Sequence, residues 1–382
     1  MKKIALIGAY PASLINFRGD LIRTLVLSGH QVTAMAAPAS QETIAKIHSL
    51  GADFRSFPIH RTGLNPWKDL QTFFSLRRIF RQEKPDVILA YTIKPVIWGG
   101  LAANYSSSSS QFYALISGLG FAFENQNIQR KLLRKTVSWL YHLALRKANR
   151  VIFQNQDDEK VFFSQNIIPE NNSAVVNGTG VHLRRFRETK IKKNKPVFLL
   201  IARLLRAKGI REYICAARQI KKIYPHVMFN LIGPEDSSPN GIPIIELKQW
   251  HHEGVIQYLG ETHDVRPFLT ECSTYVLPSY YGEGIPRSIL EAMAIGRPIL
   301  TTDNVGCKET VVQGENGFLV PIRNTEALAE RMIWFIEHPE EWERMGKRSR
   351  EIAENKFDVR KINKELMAIM GLEQPNTKSA FY

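Results

Sequence analysis

Residues 274–303 read TYVLPSYYGEGIPRSILEAMAIGRPILTTD. TYVLPS is a short apolar run of the kind that is buried on both faces of a parallel sheet. The glycines around Glu283 let a backbone come close to a ligand, Pro286 suits a first helical turn, and Gly296 followed by Pro298 supplies a stop. The spacing predicts a strand, a loop, a helix over 286–295 and a second strand at RPILTTD. Glu283 then lies before the positive end of the helix dipole and Glu291 inside the helix, roughly 8 to 12 Å away at 1.5 Å per residue. A nucleophile and acid on one glycosidic bond stand about 5 to 9.5 Å apart, so the spacing leans toward a ligand gripped at two points. A nucleotide-sugar fits: sugar near Glu283, phosphates over the helix start, ribose near Glu291. Elsewhere such a pair is ordinarily just solvated, but the carboxyl ends of parallel strands are where open α/β sheets bind ligands.

Outward from this block the same alternation repeats. The second half runs VFLLIAR from 197, a helix near 210–222, HVMFNLIG, a helix near 243–252, VIQYLG and the block itself. The first half runs KIALIG, a helix near 18–28, HQVTAMAA, a helix near 41–50 and PDVILAYT. Both are βαβ patterns, so the fold class is α/β, two doubly wound parallel-sheet domains in tandem. The expected division is 1–187, 188–355, a C-terminal helix at 356–372 that can return to the first domain, and a disordered tail at 373–382. The lysine-rich run 185–195 reads as the linker and the serines at 106–110 as an exposed loop.

The 382 residues suffice for two cores, and 44% hydrophobic with 23% charged residues is ordinary for a globular protein. Cys215, Cys272 and Cys307 have no metal-ligand or CxxC spacing and read as small apolar core residues in a reducing, cytosolic compartment. MKKIALIGAY is broken too soon by Pro11, Asn16 and Arg18 for a signal peptide, and no run reaches a membrane-spanning length. The net charge of +15 is uneven: residues 1–190 carry 25 Lys and Arg against 12 Asp and Glu, residues 191–382 carry 26 against 24. A basic first half can meet nucleic acid, an anionic membrane or an anionic substrate.

Neither half has a GxGxxG after its first strand, and SGLGF at 117–121 is a partial match in the wrong place, against a dinucleotide enzyme. In the first half the loop after KIALIG ends in NFRG, so Gly19 opens a helix that either offers amides to a phosphate or is simply capped. In the second half IARLLRAKG sets Arg203 at the end of a strand and Lys208 just before a helix. Two cations there can hold a diphosphate and neutralise its charge as it leaves.

IARLLRAKG, LPSYYGEGIPRSILEAMAIGRPIL and GCKE at 306–309 together resemble the retaining glycosyltransferases of family 4, which have the GT-B architecture of two Rossmann-like domains facing a central cleft. The resemblance covers essentially the whole chain. NFRGDLIRTLVLSGHQVT, RTGLNPWKDL, YTIKPVIWGGLAA, ISGLGFAF and NGTGVHLRRF resemble the branch that assembles bacterial surface or protein-linked glycans on a polyprenyl diphosphate. It implies that Arg203 and Lys208 bind the donor diphosphate, Glu283 contacts the transferring sugar and Glu291 holds the ribose. Backbone at Gly284 and Ile285 would lie near the phosphate or sugar, and Gly19 would approach the diphosphate from the other domain. Many members have a histidine touching the donor sugar after a central strand of the first domain; ISGLG here offers Ser117 and Gly118 instead. The resemblance further implies a UDP-sugar donor carrying an N-acetylhexosamine or hexose, a polyprenyl-diphosphate-linked acceptor, retention of configuration and no divalent metal or other cofactor. The sequence has no DxD motif, and His251, His252 and His263 lack metal-like partnering.

QNIQRKLLRKTVSWLYHLALRKANR, from 126, lies in a stretch without acidic residues. Drawn as a helix, it puts Arg130, Lys131, Arg134, Lys135, Ser138 and His142 on one arc, Leu132, Leu133, Val137, Leu140, Leu143 and Ala144 on the opposite one, and Trp139 at the border. Such a helix can lie on an anionic membrane, here the inner leaflet of the plasma membrane, or face one side to the core and the other to water. Lys94 of YTIKP, after a strand end, is a candidate for the acceptor diphosphate or a plain surface lysine. The competing readings are a nucleotide-sugar epimerase or hydrolase of the same shape and a nucleic-acid binder; the basic stretch carries no nucleic-acid motif, so no nucleic-acid partner is expected.

Overall fold

The structure, a computed structural model, describes residues 1–60, 65–106, 109–123, 128–192, 195–236, 238 and 240–373, without the side chains of 121, 122 and 128–130. The chain divides into two compact units, one of Met1–Thr179 with the chain from Val359 onward, the other of Gly180–Asp358.

The first unit runs β1 (Lys3–Ile7), α1 (Pro11–Asn16), α2 (Gly19–Leu27), β2 (Gln31–Ala36), α3 (Gln41–His48), β3 (Asp53–Ser56), α4 (Pro66–Glu83), β4 (Val87–Tyr91), α5 (Ile93–Asn104), β5 (Gln111–Ile116), α6 (Ile128–Leu145), β6 (Arg150–Phe153), α7 (Gln156–Ser164) and β7 (Ser173–Val175). Its sheet has the order β3-β2-β1-β4-β5-β6-β7, and all its pairings are parallel. Val87, Ile88, Leu89 and Ala90 of β4 are fully buried, as a strand covered on both faces requires. The direction of chain travel reverses at β1 and β4, so right-handed crossovers put α2 and α3 on one face and α4 to α7 on the other. One core accordingly joins Leu21, Ile22 and Ile47 to the sheet, and another joins Leu76, Val96, Val137 and Phe162.

The second unit runs β8 (Val197–Ile201), α8 (Ile210–Ile223), β9 (Met228–Ile232), α9 (Ile244–His252), β10 (Gln257–Tyr258), α10 (Arg266–Glu271), β11 (Thr274–Leu277), α11 (Arg287–Ile295), β12 (Ile299–Thr302), β13 (Gly317–Val320), α12 (Thr325–Glu337) and α13 (Glu341–Lys356). Its parallel sheet has the order β10-β9-β8-β11-β12-β13, with the reversal between β8 and β11. Helix α14 (Val359–Ile369) belongs to the first unit, where Ile362, Leu366 and Met367 share a core with α2.

Several local expectations are corrected. The run 185–195 is not a solvated linker: Phe186 and Ile191 are buried in the second unit's core, and the buried Arg297 guanidinium donates to the Thr189 carbonyl and hydroxyl. Residues 193 and 194 lie outside the description. Val181 pairs with Asp358, and the crossings between units flank that bridge. Ser106 is buried and donates to the Ala103 carbonyl, while Ser107, Ser108 and the tail 374–382 lie outside the described residues. Cys272 and Cys307 are core residues, but Cys215 is exposed on α8.

Helix α6 is also turned from its expected orientation. Lys131, Leu132, Lys135, Thr136, Trp139 and His142 face out, whereas Val137, Tyr141, Ala144 and Leu145 are buried and Arg134 is half-buried. The wheel misplaces Leu132 because Tyr141 and Leu145, wide and apolar on the expected basic arc, draw that side into the core. The Arg130 side chain lies outside the description.

Candidate active site

At the reversal point of the second sheet, two loops following adjacent strands meet. The loop after β8 carries Arg203 and Lys208; the loop after β11 carries Ser279 to Ile285. The sheet hydrogen bonds end at Ile201, so Arg203 stands two residues beyond the strand rather than closing it. Buried Tyr275 donates to the Ile201 carbonyl at 3.1 Å, which ties the ends of β8 and β11 together. An open α/β sheet forms its ligand crevice at such a point.

The Lys208 ammonium donates to both carboxylate oxygens of Glu283, each at 2.6 Å, and the two side chains are only 10% and 17% exposed. Ser279 adds a hydroxyl donor to Glu283 at 3.0 Å, and Lys208 lies 5.4 Å from the centre of the Tyr281 ring. The paired geometry follows from backbone chemistry. Gly209 holds a φ of 74°, and a Cβ there would meet the Pro278 carbonyl oxygen at 2.0 Å, so only glycine lets the two loops close up. Gly306, at φ 79°, presses on the other side of the loop; its Cβ would meet the Gly284 oxygen at 1.5 Å. Thr302 donates to the Ser279 carbonyl and Asn304 donates to the Tyr281 carbonyl at 3.0 Å. The Glu283 loop is thus fastened along its length.

Arg203 is held differently. Its Nη1 donates to Asp236 at 3.0 Å, and the Asp236 carboxylate also accepts the Ser238 amide at 3.0 Å. Burial by itself would raise the Asp236 pKa, but the Ser238 hydrogen bonds and the Arg203 charge outweigh it and hold the group below the usual carboxylate value.

Helix α11 begins at Arg287 with Pro286 as its cap residue, one position later than the sequence reading, and Gly296 closes it at φ 84°. Pro286 itself makes no side-chain capping bond to its first turn. Glu291 lies one turn inside and pairs with Arg287 at 2.9 Å. Burial raises the Glu291 pKa against the opposing pull of Arg287 and Arg185. Gly284 is buried, and the Ile285 side chain is buried in the core beneath the loop.

The other candidates lie in the first unit. Gly19 is the first residue of α2, and a Cβ there would meet Leu50 at an ordinary 3.6 Å, so the unit's own packing does not require glycine. Lys94 stands in the first turn of α5, after β4 at that sheet's reversal point, and its ammonium donates to Asp69 of α4 at 2.7 Å. Thr92, which precedes α5, holds φ 68° and ψ 159°, a conformation costly for a β-branched residue.

The sequence reading did not find Asp236, Ser279, Asn304 or Arg287. PEDSS at 234–238 is a loop cluster following a strand, and an i,i+4 Arg–Glu pair is visible in RSILE, but only the fold says which cation Asp236 meets.

The family described as Glycosyl transferases group 1 matches residues 183–352, and the family described as Glycosyl transferase 4-like matches residues 3–155. The chain is 28% identical over 349 residues to the N,N'-diacetylbacillosaminyl-diphospho-undecaprenol alpha-1,3-N-acetylgalactosaminyltransferase of Campylobacter jejuni, over 88% of this chain and 89% of that protein. It is 24% identical over 280 residues to the UDP-Gal:alpha-D-GlcNAc-diphosphoundecaprenol alpha-1,3-galactosyltransferase of Escherichia coli, over 70% of each. The crystal structure of Anabaena HepE in complex with UDP shares the fold with a TM-score of 0.78 at 19% identity, covering 97% of this chain and 99% of that one.

Proposed function

This chain belongs to the family 4 retaining glycosyltransferases, and from that premise we propose that it moves a sugar from a UDP-sugar to a polyprenyl-diphosphate-linked saccharide in bacterial glycan assembly. The observation that carries the reading is the Lys208–Glu283 pair at the reversal point between β8 and β11. A donor diphosphate competes with Glu283 for Lys208 and with Asp236 for Arg203. Once Lys208 turns to phosphate, the Glu283 carboxylate is free to accept a hydroxyl of the transferring sugar. The first turn of α11 adds backbone donors beside Gly284 and Ile285, and Glu291 takes the ribose.

In the transfer step the bond between the anomeric carbon and the β-phosphate oxygen breaks, and the acceptor oxygen bonds to the same face of that carbon. The acceptor proton passes to the departing phosphate oxygen. Arg203 and Lys208 offset the charge that accumulates there. A covalent intermediate on Glu283 is not required, because its carboxylate serves the sugar hydroxyl.

The acceptor's lipid places the enzyme at the inner leaflet of the membrane. Among the described residues no helix is long and apolar enough to cross a bilayer, and α6 offers exposed Lys131, Lys135 and Trp139 for peripheral contact. Arg130 and Arg134 extend the same basic segment, and Lys94, released from Asp69, meets the acceptor diphosphate. Incubation with a panel of UDP-N-acetylhexosamines and UDP-hexoses, in EDTA, with and without a polyprenyl-diphosphate-linked saccharide, tests the reading. Acceptor-dependent transfer with retained anomeric configuration by NMR is expected; donor isomerisation or hydrolysis indifferent to acceptor would overturn it.

A further inference from the structure

A helix with one face in the core ordinarily turns polar residues outward. Helix α4 buries Thr72, Leu76, Ile79 and Phe80, yet Trp67 is 80%, Leu70 40% and Phe74 52% exposed. These three are spaced three and four positions apart, so they form one outward stripe, and exposed Arg78 and Arg81 continue it along the helix. The stripe is braced rather than loose. Phe73 meets Phe74 edge-on at 5.1 Å and Tyr105 at 6.4 Å, while the Arg77 Nε donates to the Tyr105 carbonyl at 2.9 Å.

Helix α5 packs between α4 and α6 on one face of the first sheet. The outward surface of α6 repeats the composition of α4, with Leu132 67% and Trp139 59% exposed beside Lys131 and Lys135. Carboxylates are scarce on both. Asp69 of α4 is buried against Lys94, Glu83 lies 3.7 Å from Arg55, and α6 has no acidic residue. Exposed apolar patches of this kind mark a partner or a membrane. Aromatic and aliphatic tips rimmed by cations match an anionic bilayer surface in both polarity and charge. A second copy would set like charges against each other.

We propose that α4 is a lipid-inserting element: Trp67, Leu70 and Phe74 enter the headgroup region of an anionic bilayer while Arg78 and Arg81, together with Lys131 and Lys135 of α6, contact its phosphates. This rests on the membrane-proximal reading above and adds the element that inserts. Because vesicle binding is measured without donor or acceptor, it is decided independently of sugar transfer.

The test is sedimentation of the full chain with phosphatidylcholine vesicles containing or lacking phosphatidylglycerol, alongside quenching by brominated lipid. The wild type is expected to bind the anionic vesicles at least tenfold better than the neutral ones. Trp67→Ser with Phe74→Ser should lose at least tenfold of that binding while keeping its melting temperature and its activity on a short-chain, water-soluble acceptor. Trp67→Phe should restore binding but lose the part of the brominated-lipid quenching that belongs to Trp67. Unchanged binding by the double serine variant, or identical quenching in wild type and Trp67→Phe, would overturn the proposal. A concentration-dependent dimer abolished by the serine variant, with no vesicle binding by wild type, would overturn it too and assign the stripe to self-association.

Discussion

Lys208 donates to both carboxylate oxygens of Glu283 at 2.6 Å although the two residues are 75 positions apart in the chain. Neither is free while the pair stands, so whatever anion recruits Lys208 also liberates Glu283. Removing one member of a largely buried pair strands the other; Lys208→Met is expected to cost about 2 to 4 kcal/mol of stability as well as transfer. Glu283→Gln keeps the shape and one acceptor for Lys208 but removes its counter-charge, so it should lose less stability than Lys208→Met, about 1 to 2 kcal/mol, while turnover falls about 100-fold. Thermal denaturation and steady-state kinetics on the two variants separate the pair's structural and chemical roles.

Asp236 holds Arg203 at 3.0 Å, aiming it without itself being proposed to touch the donor. Asp236→Asn should therefore raise the donor KM by roughly three- to tenfold with little change in kcat, whereas Arg203→Ala should lower kcat/KM by about 100-fold. Initial rates over a donor concentration series check both.

Gly306 and Gly314 have similar backbone angles, φ 79° and 76°, but different surroundings. A Cβ at 306 would strike the Gly284 oxygen, while one at 314 has nothing within 4 Å. Gly314→Ala should cost only about 1 kcal/mol of left-handed strain and leave transfer intact. Gly306→Ala should displace the Glu283 loop and lower kcat/KM more than tenfold, as the same assay reads out.

Asp158, capped by Asn155 at the start of α7, has its pKa pushed up to about 7 by burial, reinforced by neighbouring Asp157 and opposed by the Asn155 hydrogen bond. The folded protein then keeps a proton that the unfolded chain releases above about pH 4. This contribution to stability is full below that pH and is lost as pH rises through 7. Asp158→Asn should match wild type near pH 4 and exceed it by up to about 4 kcal/mol at pH 8, at about 1.4 kcal/mol per pKa unit. Urea melts across that range give the curve.

The α/β alternation was legible because buried parallel strands such as VFLLI and TYVL are short apolar runs punctuated by glycine. The position of Glu283 ahead of α11 followed from Pro286 and Gly296 for the same local reason. Partners were not legible, since Asp236 for Arg203 and Asp69 for Lys94 are set by strand order and helix packing rather than by spacing. The outward face of α6 was misjudged at Leu132 because charge alone does not fix helix rotation; the bulk of Tyr141 does. Helix α4 escaped notice because its exposed Trp67, Leu70 and Phe74 look in sequence like one more core stripe.

Calorimetric titration of UDP in EDTA, comparing wild type with the Arg203→Ala, Lys208→Met double variant, decides whether these two cations hold the donor's diphosphate. Saturable binding by wild type is expected, with a loss of at least 100-fold in affinity when both cations are removed from a variant that remains folded. Equal affinity in the two proteins would contradict it.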